Sequence, residues 1–374
     1  TDMIYGNLGR RLAAILPAIG THAPMTDTEI AAMYPKTPRS LFKIHDWRKG
    51  LVELDRIPSA FVRDACAGVV DYDYPVQTNK MLVEGGFDAI VSIGQVVPHE
   101  VVGMANHAKN IFVGTGGKEA IDKSHFLGAA YGMERMMGRA DTPVRRVFNK
   151  ALELSAGKLP PILWILTVMG RNEAGKLVMR GFFAGNDNEC FEQAAALSSQ
   201  VNIEQLNEGI AKAVVWLDPS EYRSTWLGNK AVYRTRMAMA DGGELLIIAP
   251  GLAHFGEDEG IDALIRKYGY RPSVEIRELS RRNEDLAQNL SAAAHLIHGS
   301  SEGRFRITYA PGPGLSRSEI EGVGYGYASI DDALAAYDVK KLAIGWNKTA
   351  GGERVFYVPN PALGLWTTRE RFST

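Results

Sequence analysis

The stretch "DAIVSIGQVVPHEVVGMANHAKNIFVGTGGKEAIDKSHFLGAAYG" runs from Asp88 to Gly132. Its opening, "DAIVSIGQV", is apolar, β-branched and punctuated by Gly94, the pattern of a buried strand. Its close, "KEAIDKSHFLGAAYG", continues into "MERMMG" and reads as helix. Between them lies a Gly-rich connection that carries His99, His107 and Lys109, with His125 inside the helix that follows. A short apolar strand, a connection and a helix form the repeating unit of parallel α/β layers.

The same grammar extends in both directions. Upstream, "RLAAILPAIG" (Arg11–Gly20) predicts a strand ending in a Gly-Thr-His turn at His22. Thr26, with Glu29 three residues on, forms a capping box that opens a short helix, and Pro35 ends it. "SLFKIHD" and "YPVQTNKMLVEG" follow, the second ending in a helix-like stretch. Downstream of Gly157, "PPILWILTVM" and "KLVMRGFFAGN" predict a strand pair turning through "GRNEAG" (170–175). "ECFEQAAALSSQV" predicts a helix, "IAKAVVWLD" and "ELLIIAPGLA" buried strands, and Leu227–Ala240 a helix between those strands. No internal repeat is visible. The expected architecture is two α/β lobes with mostly parallel sheets, spanning 1–205 and 206–374, with the boundary near Gln200–Gly209.

Composition narrows the function. The chain has 374 residues, enough for two ordinary cores, with 45% hydrophobic and 23% charged residues. A net charge of −1 gives no electrostatic case for nucleic acid or an anionic membrane. Apolar runs such as Ile162–Met169 are too short to span a bilayer. No basic segment followed by an apolar one opens the chain, which begins at Thr1, and two cysteines, Cys66 and Cys190, suit a reducing, cytoplasmic setting.

Standard cofactor motifs fail. "GTGGKEA" has Phe112 where a phosphate loop needs its first glycine, and Glu119 where Ser or Thr should follow the lysine. A turn feeding a helix N-terminus is the better reading. No G-x-G-x-x-G follows a strand, no G-x-S-x-G occurs, and no H-E-x-x-H occurs. What remains is histidine: His22 and His99 just beyond strands, where active groups collect, His45 beside Asp46, then His107 and His125. His295 and His298 lie one turn apart, which suits a metal pair or, more simply, an amphipathic helix end, and His254 suits a loop.

At this point the string resembles a known family. "GTHAPMTDTE" with His22, "HD" at His45–Asp46, and "NKMLVEGGFDAIVSIGQVVPHEVVG" through His99 resemble the nickel-pincer lactate racemases. Lys109 ten residues after His99, and His125 sixteen after that, keep the family's spacing. "NKAVYRTRMAMADGGELLIIAP" and "PNPALGLW" are similar too. The resemblance implies two α/β lobes with an active-site cleft between them. It implies a nickel-pincer nucleotide (pyridinium-3-thioamide-5-thiocarboxylic acid mononucleotide nickel), delivered by cofactor maturation proteins and joined to Lys109. It further implies His125 as nickel ligand, His22 and His99 as an acid/base pair, and Lys230 and His45 on the substrate side; His107, which stands where the family has glycine, is expected as a further polar contact to the cofactor. The implied reaction is racemisation or epimerisation of a small 2-hydroxy acid by reversible hydride transfer. Removing hydride avoids the carbanion that a neighbouring carboxylate disfavours, and histidine suits the hydroxyl proton near neutral pH. Sulfur donors and one imidazole suit square-planar nickel(II).

The chain departs from the family at three places. "GMANHAK" replaces a glycine-rich turn, Leu227 stands where a glutamine precedes Lys230, and no Asp-x-Thr-Arg-Pro stretch is present. These departures point to a larger, more polar acid than lactate, such as a sugar acid. Two alternatives stay open: a zinc hydrolase or lyase using His22, His99 and His125, and a non-catalytic binding homologue without cofactor, for which the "MANHA" turn is the main support.

Overall fold

A computed structural model describes residues 1–172 and 176–373. The chain divides into two compact units. One comprises Thr1–Val97, Val102–Ser124 and Ala140–Ser198; the other comprises Pro98–Val101, His125–Arg139 and Ser199–Thr374. Each is a mixture of helices and sheets, as the strand–helix alternation implies. No helix among the described residues is long and apolar enough to cross a membrane.

In the first unit, Ile90–Gln95 pairs in parallel with Ile162–Arg171, which pairs antiparallel with Leu177–Gly185. The strand pair read from "PPILWILTVM" and "KLVMRGFFAGN" is therefore present. Its expected turn at 170–175 lies partly outside the described residues. One face of this sheet enters the core through Trp164, Leu166 and Val168; the other leaves Ile93, Leu163, Met179 and Phe182 exposed. Ile90–Gln95 is thus half-buried rather than the fully buried strand its apolar run suggests. A second ribbon pairs Leu51–Ile57 antiparallel with Tyr74–Asn79. The helix Pro143–Leu154 starts with Thr142 accepting the Arg145 N–H, has proline in its first turn, and buries Val144, Val147, Phe148 and Ala151.

The second unit is built on a six-stranded sheet. Its order is Gly326–Tyr327, Arg306–Pro311, Met239–Ala249, Ile210–Trp216, Arg354–Val358, Gly345–Lys348. All pairs are parallel except the last. Parallel strands buried on both faces read as continuous apolar runs, which is why "AVVW" and "ELLIIA" were legible. Val214, Leu246, Ile248, Val355 and Tyr357 pack together there. Truncating one of the large aliphatic members would cost about 2–5 kcal/mol.

Three expected elements differ. The helix read from Lys118 through "MERMMG" breaks at Gly132, whose φ of 113° no helix allows, into Lys118–Tyr131 and Met133–Met136. Arg11–Gly20 is not a strand: it keeps one isolated bridge, Ile15 to Phe42, flanked by a 3₁₀ turn at Gly9–Arg11. Pro17 lacks the N–H that would extend the ladder. Leu227–Ala240 splits into the helices Thr225–Gly228 and Lys230–Thr235, and the strand has begun by Met239. Asn229, at the break, accepts hydrogen bonds from the Tyr309 and Tyr325 hydroxyls at 2.8 and 3.1 Å. The Thr26–Glu29 capping box and the helix Asp27–Met33, ending before Pro35, form as read.

Gly94 is required by close approach. A Cβ there would meet Asn106 Nδ2 at 1.7 Å. The Asn106 side chain cannot swing away cheaply, because its Oδ1 accepts from the His107 N–H and from Asn110 Nδ2 at 2.7 and 2.9 Å. Gly94→Ala should therefore destabilise the protein by about 1–3 kcal/mol. A urea midpoint equal to wild type would refute this.

Candidate functional site

Lys109 is set by the turn before it. Asn106 and His107 both adopt left-handed backbone, with φ of 76° and 58°. Asn and His tolerate that region better than most side chains. The chain then enters a π-helical turn, Asn110–Gly114, with the half-buried Lys109 at its head. Arg145 secures the approach: its buried guanidinium donates to the Met104 carbonyl at 2.7 Å and the Asn106 carbonyl at 3.3 Å. It also stacks 3.9 Å over the Phe191 ring. Burial draws its pKa down to about 9, which leaves it a cation at neutral pH.

His107 turns into the core of this unit. Its ring lies 4.1 Å from Trp164 and 5.3 Å from Phe191, and Nε2–H donates to the Asp187 carbonyl at 3.2 Å. Nδ1 is buried without a hydrogen-bond partner. Burial, helped by the Arg145 charge, pulls the ring's pKa to about 3.

Two other candidates reach the lysine turn through backbone. The Gly20 N–H donates to the Gly114 carbonyl at 2.9 Å, and His22 N–H closes the next turn onto Ile19 O at 3.1 Å. The His22 side chain is exposed. His45 is buried; its Nε2–H donates to Gly116 O at 3.1 Å and its Nδ1 accepts from Asn79 Nδ2 at 3.1 Å. Burial lowers its pKa despite the Gly116 bond and nearby Asp46. His45 thus braces the entry to the helix Lys118–Tyr131. The first unit holds His22, His45, His107 and Lys109; the second holds His99, His125 and Lys230.

In the second unit, Lys230 begins the helix Lys230–Thr235, and Arg234 on that helix donates to Pro98 O at 3.2 Å. Arg234 Nη2 lies 4.0 Å from Glu100 Oε2, and His99 Nδ1 lies 4.0 Å from the same oxygen. The Val101 N–H donates to His99 Nδ1 at 3.1 Å. Burial pushes the Glu100 carboxyl up, but His99, Arg234 and His298 together outweigh it and hold the group well below the usual carboxylate range. His298 is buried, with Nε2 lacking a hydrogen-bond partner. Burial draws its pKa to about 3 against the pull of Glu100, with His125 and Arg236 adding to the fall. Its helix, Leu290–His298, buries seven residues including His295, so it is a core helix and not an amphipathic end. His254 lies in a loop, its Nδ1–H donating to Gly256 O at 2.7 Å.

Glu100, Arg145, Arg234 and His298 were not singled out from sequence as working parts of the site. Arg234 had a signal, four residues after Lys230 and so on the same helix face. Among the described residues no group of three or more His, Cys, Asp or Glu side chains converges as a metal site.

The fold is therefore that of a two-unit α/β protein whose candidate chemistry rests on one amine and several imidazoles. Residues 8–136 match the lactate racemase N-terminal domain family. That segment includes His22, His45, His99, Lys109 and His125, so the family resemblance read from the sequence is shown there. Among solved structures, a protein from Thermotoga maritima is similar, with 23% identity, a TM-score of 0.79, and coverage of 99% of this chain and 90% of that one. The lactate racemase apoprotein from Thermoanaerobacterium thermosaccharolyticum is similar with 17% identity, a TM-score of 0.67, and coverage of 94% and 78%. At these identities the likeness is one of fold. No curated protein sequence matches.

The buried histidines make a pH prediction. The unfolded His107 ring takes its proton near its ordinary 6.5, the folded ring only near 3. As pH falls, the unfolded chain binds the proton first. The stabilisation is full above pH 6.5 and is lost as pH falls toward 3, by about 1.4 kcal/mol per pH unit for one fully neutral ring. His295 and His298, also drawn to about 3 by burial, act in the same direction. Urea midpoints should decline from neutral to mildly acid pH. His107→Asn, which keeps a side chain suited to positive φ, should flatten part of that decline; an unchanged slope would rule the effect out.

Proposed function

We propose that this protein is an isomerase, a racemase or epimerase of a 2-hydroxy acid, that works with a nickel-pincer nucleotide tethered to Lys109. One observation carries most of the weight. The family match contains the amine and the histidines together, and within the first unit the His22 turn is bonded to the Lys109 turn through Gly20 and Gly114.

The side chains fit such a cofactor. A metal held here by protein alone would need three or four ligands, and no such group converges among the described residues. A metal that draws most donors from its organic ligand needs only one imidazole, the part proposed for His125. The tether needs a primary amine on ordered backbone, and Lys109 heads a turn held by Arg145 and Asn106. Bound there, the pincer supplies an acceptor for the hydride leaving C2, so that the substrate passes through a planar 2-keto acid.

The chain's own residues do the rest. His22 and His99 exchange the C2 hydroxyl proton, the acid/base work for which imidazole is the usual side chain. Lys230 offers an ammonium to the substrate carboxylate. His45 and His107 support the reading indirectly, by bracing Gly116 and by filling the core behind the lysine turn. Leu227 in place of an amide, with 38% of its surface exposed, favours a substrate other than lactate, a larger hydroxylated acid being the first class to assay.

The test is intact mass and metal content of full-length protein made with the cofactor's maturation proteins. Wild type should carry an adduct of the pincer's mass with one nickel, and should interconvert epimers of a 2-hydroxy acid. Lys109→Ala should lose adduct and turnover together. His125→Ala should keep the adduct and lose nickel. His22→Ala should keep both and turn over about 10²–10⁴-fold more slowly. Stoichiometric zinc with no adduct would overturn the proposal in favour of a metal-dependent hydrolase or lyase.

A further inference from the structure

His99 is pinned in a form that cannot act as a base at Nε2. An imidazole nitrogen that accepts an N–H carries a lone pair, and Nδ1 accepts the Val101 N–H at 3.1 Å. The neutral ring therefore holds its proton on Nε2. To take a proton at Nε2, or to give one up and stay neutral, the ring must carry its other proton on Nδ1. That proton needs an acceptor in place of Val101.

Glu100 is a carboxylate placed beside it: its Oε2 lies 4.0 Å from Nδ1. To trade the backbone N–H for the carboxylate the imidazole must rotate. Arg234 restrains the exchange, because its Nη2 is also 4.0 Å from Oε2, and its Nη1 is fixed on Pro98 O at 3.2 Å. His298 and the Tyr233 hydroxyl, among the described residues, also sense Glu100. The carboxylate thus stands between one cation and one imidazole, close enough to either to choose.

We propose that Glu100 is the positioning residue of His99, taking over Nδ1 from the Val101 N–H and so freeing Nε2 to exchange a proton with the substrate's C2 oxygen. This rests on the reading of His99 as an acid/base group. In the working state Nδ1–H stays on Glu100. The imidazolium gives its Nε2 proton to the oxygen of the 2-keto acid as hydride returns to carbon, which leaves the neutral Nδ1–H ring. In the reverse direction the hydroxyl proton goes to Nε2. The Val101-bonded ring is a parked state outside this cycle.

The experiment is long-range ¹H–¹⁵N NMR of full-length protein labelled at histidine, without cofactor, with His99 assigned by comparison with His99→Gln. Wild type at mildly alkaline pH should show Nδ1 unprotonated and Nε2 protonated. Glu100→Gln should lower the ring's affinity for its second proton about tenfold or more. Arg234→Gln, which removes the competing cation, should raise it, so general disruption cannot mimic both results. In cofactor-loaded enzyme, Glu100→Gln should lower kcat by roughly 10²–10⁴-fold with KM little changed, and Glu100→Asp should recover part of it. A proton on Nδ1 of the neutral wild-type ring, or identical titrations in wild type and Glu100→Gln, would overturn the proposal. Neither NMR result depends on an adduct at Lys109, so a failure here is distinct from a failure of the proposed reaction.

Discussion

The first unit turns on one buried guanidinium. Between Met104 and Lys109 the chain must reverse with two consecutive left-handed residues, and its carbonyls at 104 and 106 face protein, where water cannot satisfy them. Arg145 reaches in from the helix Pro143–Leu154 and answers both. A cation in such a place is costly unless its hydrogens are used, and three of its contacts go to those carbonyls and one face to Phe191. Its lowered but still basic pKa records the balance: burial penalises the charge without removing it. Remove the guanidinium and two buried carbonyls are orphaned at once, with about 1–3 kcal/mol at stake for each. The backbone that heads the Lys109 turn is held from that side.

The second unit uses charge differently. Glu100 sits among His99, Arg234 and His298, and its carboxyl stays ionised although burial alone would neutralise it. Arg234 stands on one side of it and an imidazole on the other, each at 4.0 Å from the same carboxylate oxygen. The helix Lys230–Thr235 supplies Arg234 to this cluster and Lys230 at its own start, so one short helix carries both cations. It is set off from the preceding turn at Asn229, whose amide oxygen accepts from two tyrosines.

Much of this was legible in the residues, and the exceptions have physical causes. Long apolar runs and capping residues announce strands and helices because they report burial and local hydrogen bonding, and those elements formed where read. Arg11–Gly20 misled because its apolar alternation is as good as a strand's, while Pro17 decides against a ladder by a missing donor. The roles of His107 and Arg145 were illegible for another reason. Nothing local marks a histidine that will lie on Trp164, or an arginine that will answer carbonyls some forty residues away in the chain. Glu100 beside His99 was in plain view, but adjacency in sequence says nothing about how two side chains are placed; the structure sets Oε2 at 4.0 Å from Nδ1 while Nδ1 accepts the Val101 N–H.

The "MANHA" turn deserves a different reading once its packing is known. From sequence alone, replacing small glycines by Asn106 and His107 suggests a site altered to the point of losing its cofactor. In the structure both residues occupy positive φ, the very property glycines would supply, and both side chains point to structural work. Asn106 caps the turn through His107 N–H and Asn110, and His107 fills a hydrophobic slot with its Nε2–H on Asp187 O. The two residues hold backbone that glycine also adopts and fill core volume, so packing in this unit accounts for them. The loss at Leu227 has no such account: an exposed apolar side chain stands where an amide would offer two hydrogen-bonding groups. The two departures therefore differ in kind: one is absorbed by packing, the other leaves an apolar side chain at the surface.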